Sequence, residues 1–530
     1  MNQRVPAIAA TPAPRIIARA DHNISRSDIS HNALRVLYRL KDAGFQAFLV
    51  GGGVRDVMLG RHPKDFDIAT NALPDEVRAL FRNCRLVGRR FRLAHVIFGR
   101  EVIEVATFRA ASAPSPNEEP PTDLDAEVEA EGGGGELDET DLEEVERQQA
   151  APLSDEDAQA MGPAPPATAP ATRAVDESGP PLRGITGGID GVDHERVLDP
   201  HGRLLRDNVY GSIEEDVWRR DFTANALYYN IADFSLWDFV GGAADIGARR
   251  LRLIGDPETR YREDPVRMLR AARFQAKLGF ELDPATAAPI PALKGLLAQV
   301  PPARLFDETQ KLFLTGHGER SLEVLRAHDL LGVLFPAVER YLVAHPGSLV
   351  EQLLRRGLRN TDERVAADRP VTASFLFALL LYGPIAALIE ALPPQRWHEL
   401  GAIIDACERA LREASVRVSI PRRIGLGVRE MYALQPRLEH PRGRRAVRLL
   451  EQPRFRAAFD LLLLRAQLGL ATATIADWWS ELQGLSPTER LQRIDALAAG
   501  ERGAAPHEGA DAAAARDGAP RRRRRRRRRR

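Results

Sequence analysis

The sequence predicts an α+β head at the N-terminus, a mixed sheet with flanking helices, followed by all-α neck and body segments. Three observations carry this expectation. Short apolar runs of strand length crowd the first 240 residues, interleaved with segments of helical spacing. From about Pro257 onward, long helix-periodic segments follow one another, punctuated by Pro and Gly, and strand signals are lacking. Charge is also segregated along the chain. Residues 111–180 hold 19 acidic and 2 basic residues, and Arg521 to Arg530 are ten consecutive arginines. These two stretches read as a disordered acidic insert and a disordered basic tail.

In the head, strands are expected at Ala47–Val50, Asp65–Ala69, Leu93–Phe98 and Val102–Thr107, and again at Leu227–Ile231 and Trp237–Val240. Helices are expected at Asn32–Leu40, where Leu34, Leu37 and Tyr38 share helical spacing, and at Asp75–Phe81. The acidic stretch between the two groups of strands contains ten prolines and no aromatic residue. It cannot bury enough apolar surface to offset its ordering entropy, so disorder is expected, and strand-like sequence on both sides means that it interrupts one domain instead of separating two. Helical segments follow at 265–279, 302–315, 320–334, 372–382, 398–413 and 455–469. The expected organisation is therefore an extension over 1–25, an α+β head over 26–240 carrying the insert at 111–190, a helical neck over 241–300, a helical body over 301–500 and a tail over 501–530.

Composition narrows the class. The chain has 530 residues, 44% apolar and 28% charged, as in a soluble globular protein. Its net charge of +1 averages two extremes, because outside the insert and the ten arginines 63 basic residues face 55 acidic ones. Two distant cysteines, Cys84 and Cys407, exclude a disulfide framework and a Cys-based zinc site, and they fit a reducing cytoplasm. The N-terminal residues include three arginines and no continuous apolar core, which argues against a signal peptide. Val371 to Ile389 is uncharged and long enough to span a membrane, but Gly383-Pro384 interrupts it, and a buried helix pair is the expectation.

The densest chemical signal is Leu49-Val-Gly-Gly-Gly-Val-Arg-Asp56 followed by Lys64-Asp-Phe-Asp-Ile68. Glycines directly after a strand allow a tight turn whose backbone N–H groups approach phosphate, although Gly51 and Gly52 alone would equally mark a plain turn. On a strand, Asp65 and Asp67 fall on one face, where they are either solvated acids or shared ligands of divalent cations. Glu104, flanked by Ile103 and Val105, can join them if its strand lies alongside. Three carboxylates around two metals suit in-line attack on phosphorus. Further on, Arg220 and Asp221 present a guanidinium and a carboxylate, and Glu263, Arg267, Arg270 and Phe274 share a helical face.

These motifs, in this order, resemble the polymerase-β-type nucleotidyltransferases. Arg219-Arg-Asp-Phe-Thr-Ala-Asn-Ala-Leu227 and Arg262-Glu-Asp-Pro-Val-Arg-Met-Leu-Arg270 are similar to the class II branch, which holds bacterial CCA-adding enzymes and poly(A) polymerases. The resemblance runs from about Ile16 to Gln467. It implies a nucleotidyltransferase head in which Asp65 and Asp67 hold two Mg²⁺ and Glu104 completes the catalytic carboxylates. Gly51, Gly52 and Arg55 would handle the triphosphate of ATP, Arg220, Asp221 and Asn225 would shape the pocket, and Asp264, Arg267 and Arg270 would complete nucleotide binding, the first two reading the base.

Leu86-Val-Gly-Arg-Arg-Phe-Arg-Leu-Ala-His95, His22 to Arg26 and Gln452 to Ala458 resemble the poly(A) group in particular. Arg89 and Arg90 beside Phe91 supply phosphate contacts and a stacking surface, unless Phe91 is core and the arginines are merely solvated. Between Arg417 and Arg456 eleven arginines face three acids, an RNA track that includes Arg422, Arg423, Arg444 and Arg445. The resulting expectation is template-independent addition of adenylate to single-stranded RNA 3′ ends in the cytoplasm, marking RNA for decay. The alternatives are a CCA-adding enzyme, which would also use CTP, and a silent RNA-binding protein on the same fold.

Overall fold

The structure, a computed structural model, describes residues 13–88, 92–110, 196–198, 204–207, 210–441 and 445–503. The acidic stretch 111–180 and the ten terminal arginines lie outside these residues, so the expectation of disorder there concerns residues not described. Two compact units divide the chain: Met1–Glu308 with Val324–Val333, and Thr309–Glu323 with Leu334–Arg530.

The first unit is built on an eight-stranded mixed sheet. In chain order the elements are β1 (Arg15–Ile17), α1 (His31–Asp42), β2 (Ala47–Val50), α2 (Gly52–Met58), β3 (Asp67–Thr70), α3 (Pro74–Leu80), β4 (Cys84–Val87), β5 (Leu93–Phe98) and β6 (Glu101–Thr107). A separate ribbon, β7 (Arg196–Leu198) and β8 (Leu204–Asp207), precedes α4 (Ile213–Arg219), β9 (Leu227–Asn230) and β10 (Leu236–Asp238). The sheet runs β1-β10-β9-β2-β3-β6-β5-β4, with β3 and β6 parallel and the other neighbours antiparallel.

Local chemistry explains the elements that frame the site. Ser30 caps α1 by accepting the Ala33 N–H, and Ala33, Val36, Leu37 and Leu40 form its buried stripe. All four residues of β2 are buried, as expected of a central strand. Phe48, Val50, Ala69, Phe108, Val217 and Tyr228 pack together under the sheet, with Phe48 edge-on to Tyr228 at 6.0 Å.

Several boundaries shift by a residue or two, the helix expected over 320–334 is divided into Gly318–Ala327 and Leu331–Leu334, and one shift bears on the site. The strand predicted from Asp65 begins at Asp67, because its partner β2 ends at Val50, opposite Asp67, where the chain turns away at Gly51. Asp65 therefore precedes the strand, and its backbone passes α2 closely enough that a Cβ on Gly53 would lie 3.3 Å from the Asp65 carbonyl oxygen.

Helices continue the first unit beyond the sheet, among them α5 (Pro257–Glu263) and α6 (Val266–Leu278). Gly279, at φ 73°, closes α6 as a left-handed cap.

The second unit is helical among its described residues. It includes α7 (Leu349–Ala366), α8 (Ala373–Leu380), α9 (Tyr382–Glu390), α10 (Leu400–Ser415), α11 (Arg422–Glu439) and α12 (Phe455–Gln467). The apolar stretch over 371–389 forms α8 and α9, bent by 47° at their junction, and α8 buries Leu376, Phe377, Leu379 and Leu380. Among the described residues no single helix is long and apolar enough to cross a membrane. Interhelical hydrogen bonds pin α11: Tyr432 Oη donates to the Ala378 carbonyl at 2.9 Å and Gln435 Nε2 to that of Ala458 at 2.9 Å.

Candidate active site

The site grows from the end of β2. Gly51 adopts φ 73° and ψ −140°, a conformation that favours glycine, and a Cβ there would meet Asp67 Oδ2 at 3.3 Å. The turn thus brings α2 and the first carboxylate of β3 into van der Waals proximity. Asp67 lies directly opposite Glu104 in the parallel β3–β6 ladder, and His95 on β5 lies opposite Glu104 on its other side. His95 Nε2 is 3.6 Å from Glu104 Oε1. Burial pushes the Asp67 carboxyl up to about 6, and repulsion from Glu104 adds to it; Arg220 opposes this, while Asp65 contributes a smaller upward push.

A buried polar network backs the carboxylates. Arg55, 1% exposed, donates to Asn225 Oδ1 and pairs with Asp56 at 2.7 Å. Asn225 in turn donates to Asp221 Oδ1 at 3.2 Å. The other Asp221 oxygen accepts from Arg270 Nε and Nη2, at 2.8 and 2.6 Å. Burial alone would raise the Asp221 carboxyl; the Arg270 charge and these hydrogen bonds outweigh it and hold the group below the usual carboxylate range. Arg220 is clamped separately, donating to Tyr228 Oη at 2.8 Å and to Asp216 at 3.1 Å, with its guanidinium 5.0 Å from the Tyr228 ring centre.

These groups open onto a cavity of about 460 Å³. Gly51, Gly52, Arg55, Asp67, Arg220, Asp221, Asn225, Asp264, Arg267 and Arg270 all line it, so ten residues singled out in the sequence converge on one space. Asp65 is exposed just before β3, and Glu104 stands half-exposed beside Asp67; neither lines the cavity. Asp264 and Arg267 each hold a protein partner. Arg304 donates to Asp264 at 3.1 Å, while Arg267 donates to Glu263 at 2.9 Å and to the Arg260 carbonyl at 2.7 Å. The simple i,i+4 pair of Glu263 with Arg267 is thus present, with Arg267 at the cavity wall.

Arg219, Phe274 and Lys277 also line the cavity. Phe274 carries the guanidiniums of Arg55, Arg270 and Arg273 around its ring at 4.7–5.5 Å. Lys277 is a half-buried amine whose pKa is lowered, first by burial; Asp56 opposes this, and Arg55 and Arg273 reinforce it. Lys277 was legible in principle, because 267, 270, 274 and 277 continue one face of α6.

Among the described residues no three acidic, His or Cys side chains stand close enough to cage an ion. Mg²⁺ is nonetheless bound typically through one or two carboxylates completed by substrate phosphates. Asp67 stands directly opposite Glu104 in the β3–β6 ladder, with Asp65 two residues before it, so the oxygen donors present fit such an ion.

Of the residues read as RNA contacts, Arg422 and Arg423 are exposed at the start of α11 in the second unit. Arg89, Arg90, Phe91 and Arg444 lie outside the described residues. Arg445 opens a helix, Arg445–Leu450, but its side chain is not described.

The mixed sheet, the paired carboxylates and the cation-lined cavity define a nucleotidyltransferase head. Three family models match: a poly A polymerase head domain over 47–143 and 190–252, a probable RNA and SrmB-binding site of polymerase A over 279–342, and a polymerase A arginine-rich C-terminus over 395–530. The chain is 43% identical to poly(A) polymerase I of Salmonella typhi, across 92% of this chain and 90% of that protein. A CCA-adding enzyme of Bacillus pumilus is 30% identical over 58% of this chain and 56% of its own length. Among solved structures, a tRNA-processing enzyme in an apo form shares the fold at a TM-score of 0.50 and 19% identity, covering 87% of this chain and 99% of its own. The chain belongs to the bacterial poly(A) polymerase family.

Proposed function

We propose that the protein adds adenylate units from ATP to the 3′ ends of single-stranded RNA without a template, in the cytoplasm. The observation that carries this is the convergence, in one cavity, of Asp67, whose ladder partner is Glu104, with Arg220 and the Arg55–Asn225–Asp221–Arg270 network. Each turnover forms a bond between the RNA 3′ oxygen and the α-phosphorus of ATP. It breaks the α–β phosphoanhydride bond, and pyrophosphate leaves.

Asp65 and Asp67 are the residues that would hold Mg²⁺, which when bound polarises phosphoryl oxygens and lowers the pKa of the attacking hydroxyl. Glu104 completes the negative wall facing the nucleophile. Arg220, held rigid by Asp216 and Tyr228, presents positive charge to the triphosphate from a fixed position. Arg55 supplies its field from within the wall, because its donors are committed to Asn225 and Asp56. Asp221, aligned by Arg270, accepts from the ribose hydroxyls. Asp264 and Arg267 exchange their present partners for the edge of the base, so the protein itself selects the nucleotide.

Incubating the purified protein with a short RNA and each NTP singly, then sequencing the product ends, tests this reading. Long adenylate tails with ATP and poor use of CTP are expected. Completion of CCA on truncated tRNA, with arrest after three nucleotides, would overturn it in favour of tRNA repair. RNA binding without incorporation of any nucleotide would leave only a binding protein.

A further inference from the structure

The second unit contains a cavity of about 490 Å³, within the roughly 300–1,000 Å³ typical of small-molecule sites, and none of the residues assigned to nucleotide addition line it. It lies between α7, α8, α11 and α12. Its positive side is set by Arg364, Arg369, Arg454 and Arg456, against two acids, Glu363 and Asp460. Arg364 is fixed in place by donating to the Pro370 carbonyl at 3.1 Å. Arg456 pairs with Asp460 at 3.0 Å, and Arg454 with Glu430 at 3.4 Å, through side chains exposed enough that a phosphate can displace the carboxylate. Arg369 is exposed, with no ion pair among the described residues.

Part of the lining is apolar. Met431 and Leu464 are buried, and the Phe375 ring is half-buried at the wall. Gly427 permits this closeness of α8 and α11, since a Cβ there would fall 2.6 Å from Ser374 Oγ. Two carboxamides, Asn360 and Gln467, also face the cavity and make no side-chain hydrogen bond among the described residues. Pro453, Arg454, Arg456 and Ala457 all come from the Gln452 to Ala458 stretch that stood out in the sequence and that nucleotide addition leaves without a role.

We infer that this cavity is a binding subsite for one nucleotide of single-stranded RNA, with adenylate preferred. The inference rests on the proposed RNA substrate. The arginines match a phosphate by charge, and the aromatic and apolar wall matches the face of a base. A carboxamide pairs bidentately with adenine, through one donor and one acceptor. A purine also covers more of the apolar wall than a pyrimidine does.

The test is the equilibrium binding of fluorescein-labelled A10, C10 and U10 RNA to the full-length protein, with nucleotide omitted. The variants are Arg369→Gln with Gln467→Leu, and Asn360→Leu alone. Arg340→Gln, an exposed position of the same unit, serves as the charge control. Thermal midpoints verify folding, and Asn360→Ser replaces Asn360→Leu if the latter unfolds. Wild-type protein is expected to prefer A10. Both cavity variants should weaken A10 binding about tenfold, the order of one lost bidentate pairing, and should bring A10 and C10 together, whereas Arg340→Gln shifts all three RNAs equally. Equal losses for A10, C10 and U10 in the cavity variants would overturn the subsite and leave diffuse attraction. So would unchanged binding, including the case in which a peptide of residues 111–180 binds the cavity variants less tightly than wild type while RNA does not. Failure of wild-type protein to bind any of the RNAs would instead refute the RNA substrate itself.

Discussion

At the scale of single residues, the sign of the Asp67 perturbation yields a prediction independent of turnover. Its carboxyl titrates near 6 in the folded protein, above its value in an unfolded chain, so the folded state takes up this proton first as pH falls. The associated stability is fully present below the unfolded value and is lost as pH rises through 6. At neutral pH without metal, Asp67→Asn is therefore expected to raise stability by about 1–3 kcal/mol, while abolishing nucleotide addition. The gain should shrink toward pH 4, and Mg²⁺ should stabilise wild type more than the variant. Thermal melts across pH, with and without Mg²⁺, check both; a variant less stable than wild type at pH 7 would contradict the account. Lys277 supports a second prediction. Its half-buried amine lies near Arg55 and Arg273, so the cavity gathers positive charge suited to a polyphosphate. Lys277→Gln is expected to weaken ATP binding about tenfold, as one charge-assisted contact of about 1.5 kcal/mol implies, and to leave AMP affinity nearly unchanged. Calorimetry with a non-hydrolysable ATP analogue and with AMP distinguishes this from general damage, which would lower both.

At the scale of elements, legibility followed burial. β2 and β5 match their expected bounds, because continuous or alternating apolar residues between turn signals have few other readings. β4 alternates only between half-buried and exposed positions at the sheet edge and left no clear pattern to read. β1 fell within a segment taken as an extension, since three residues are too few to show a period. The offset at Asp65 has another cause: where a strand begins depends on where its partner ends, and Gly51 ends the partner. Side chains brought in by the motifs were visible, but the Asp216–Tyr228 clamp was not. It joins α4 to β9, and no local spacing reports a contact made by the fold. Gly51 is the element-scale test. Alanine there must adopt a positive φ and crowd Asp67, so Gly51→Ala is expected to cost about 1–3 kcal/mol of stability. Displacement of the carboxylate should reduce kcat about a hundredfold, in keeping with the penalty for ångström-scale misplacement. A melt and a single-turnover assay on the same preparation measure the two effects; unaltered kcat would mean that the turn does not position Asp67.

At the scale of the whole molecule, the first unit is one sheet assembled from two stretches of chain, and the geometry where they meet determines how the acidic stretch can be treated. The chain leaves β6 through Phe108 to Ala110 and returns at Tyr210 and Gly211. These ends are fastened together: Arg109 and Tyr210 form an antiparallel bridge, Gly211 N–H donates to the Phe108 carbonyl at 3.0 Å, and Arg219 Nη1 donates to the Ala110 carbonyl at 3.0 Å. A Cβ on Gly211 would lie 2.5 Å from Ala110, so the return strand passes as closely as glycine allows. Everything between these points is topologically a loop whose two ends already touch. On the sequence expectation of disorder over 111–180, the length of that stretch enters through closure entropy, which changes by about 0.6 kcal/mol per doubling. Replacing residues 111–180 with a short Gly/Ser linker shortens that loop from roughly a hundred residues to roughly thirty, which favours the folded state by about 1 kcal/mol. The deletion variant is therefore expected to melt at or slightly above the wild-type midpoint and to retain adenylate addition to a short RNA. Because 19 acidic residues leave with the segment, its RNA affinity at low salt should rise, and the difference from wild type should fade as salt screens the charge. A midpoint several degrees below wild type would show that the segment packs against the sheet, and an affinity unchanged at low salt would show that its charge does not reach the RNA.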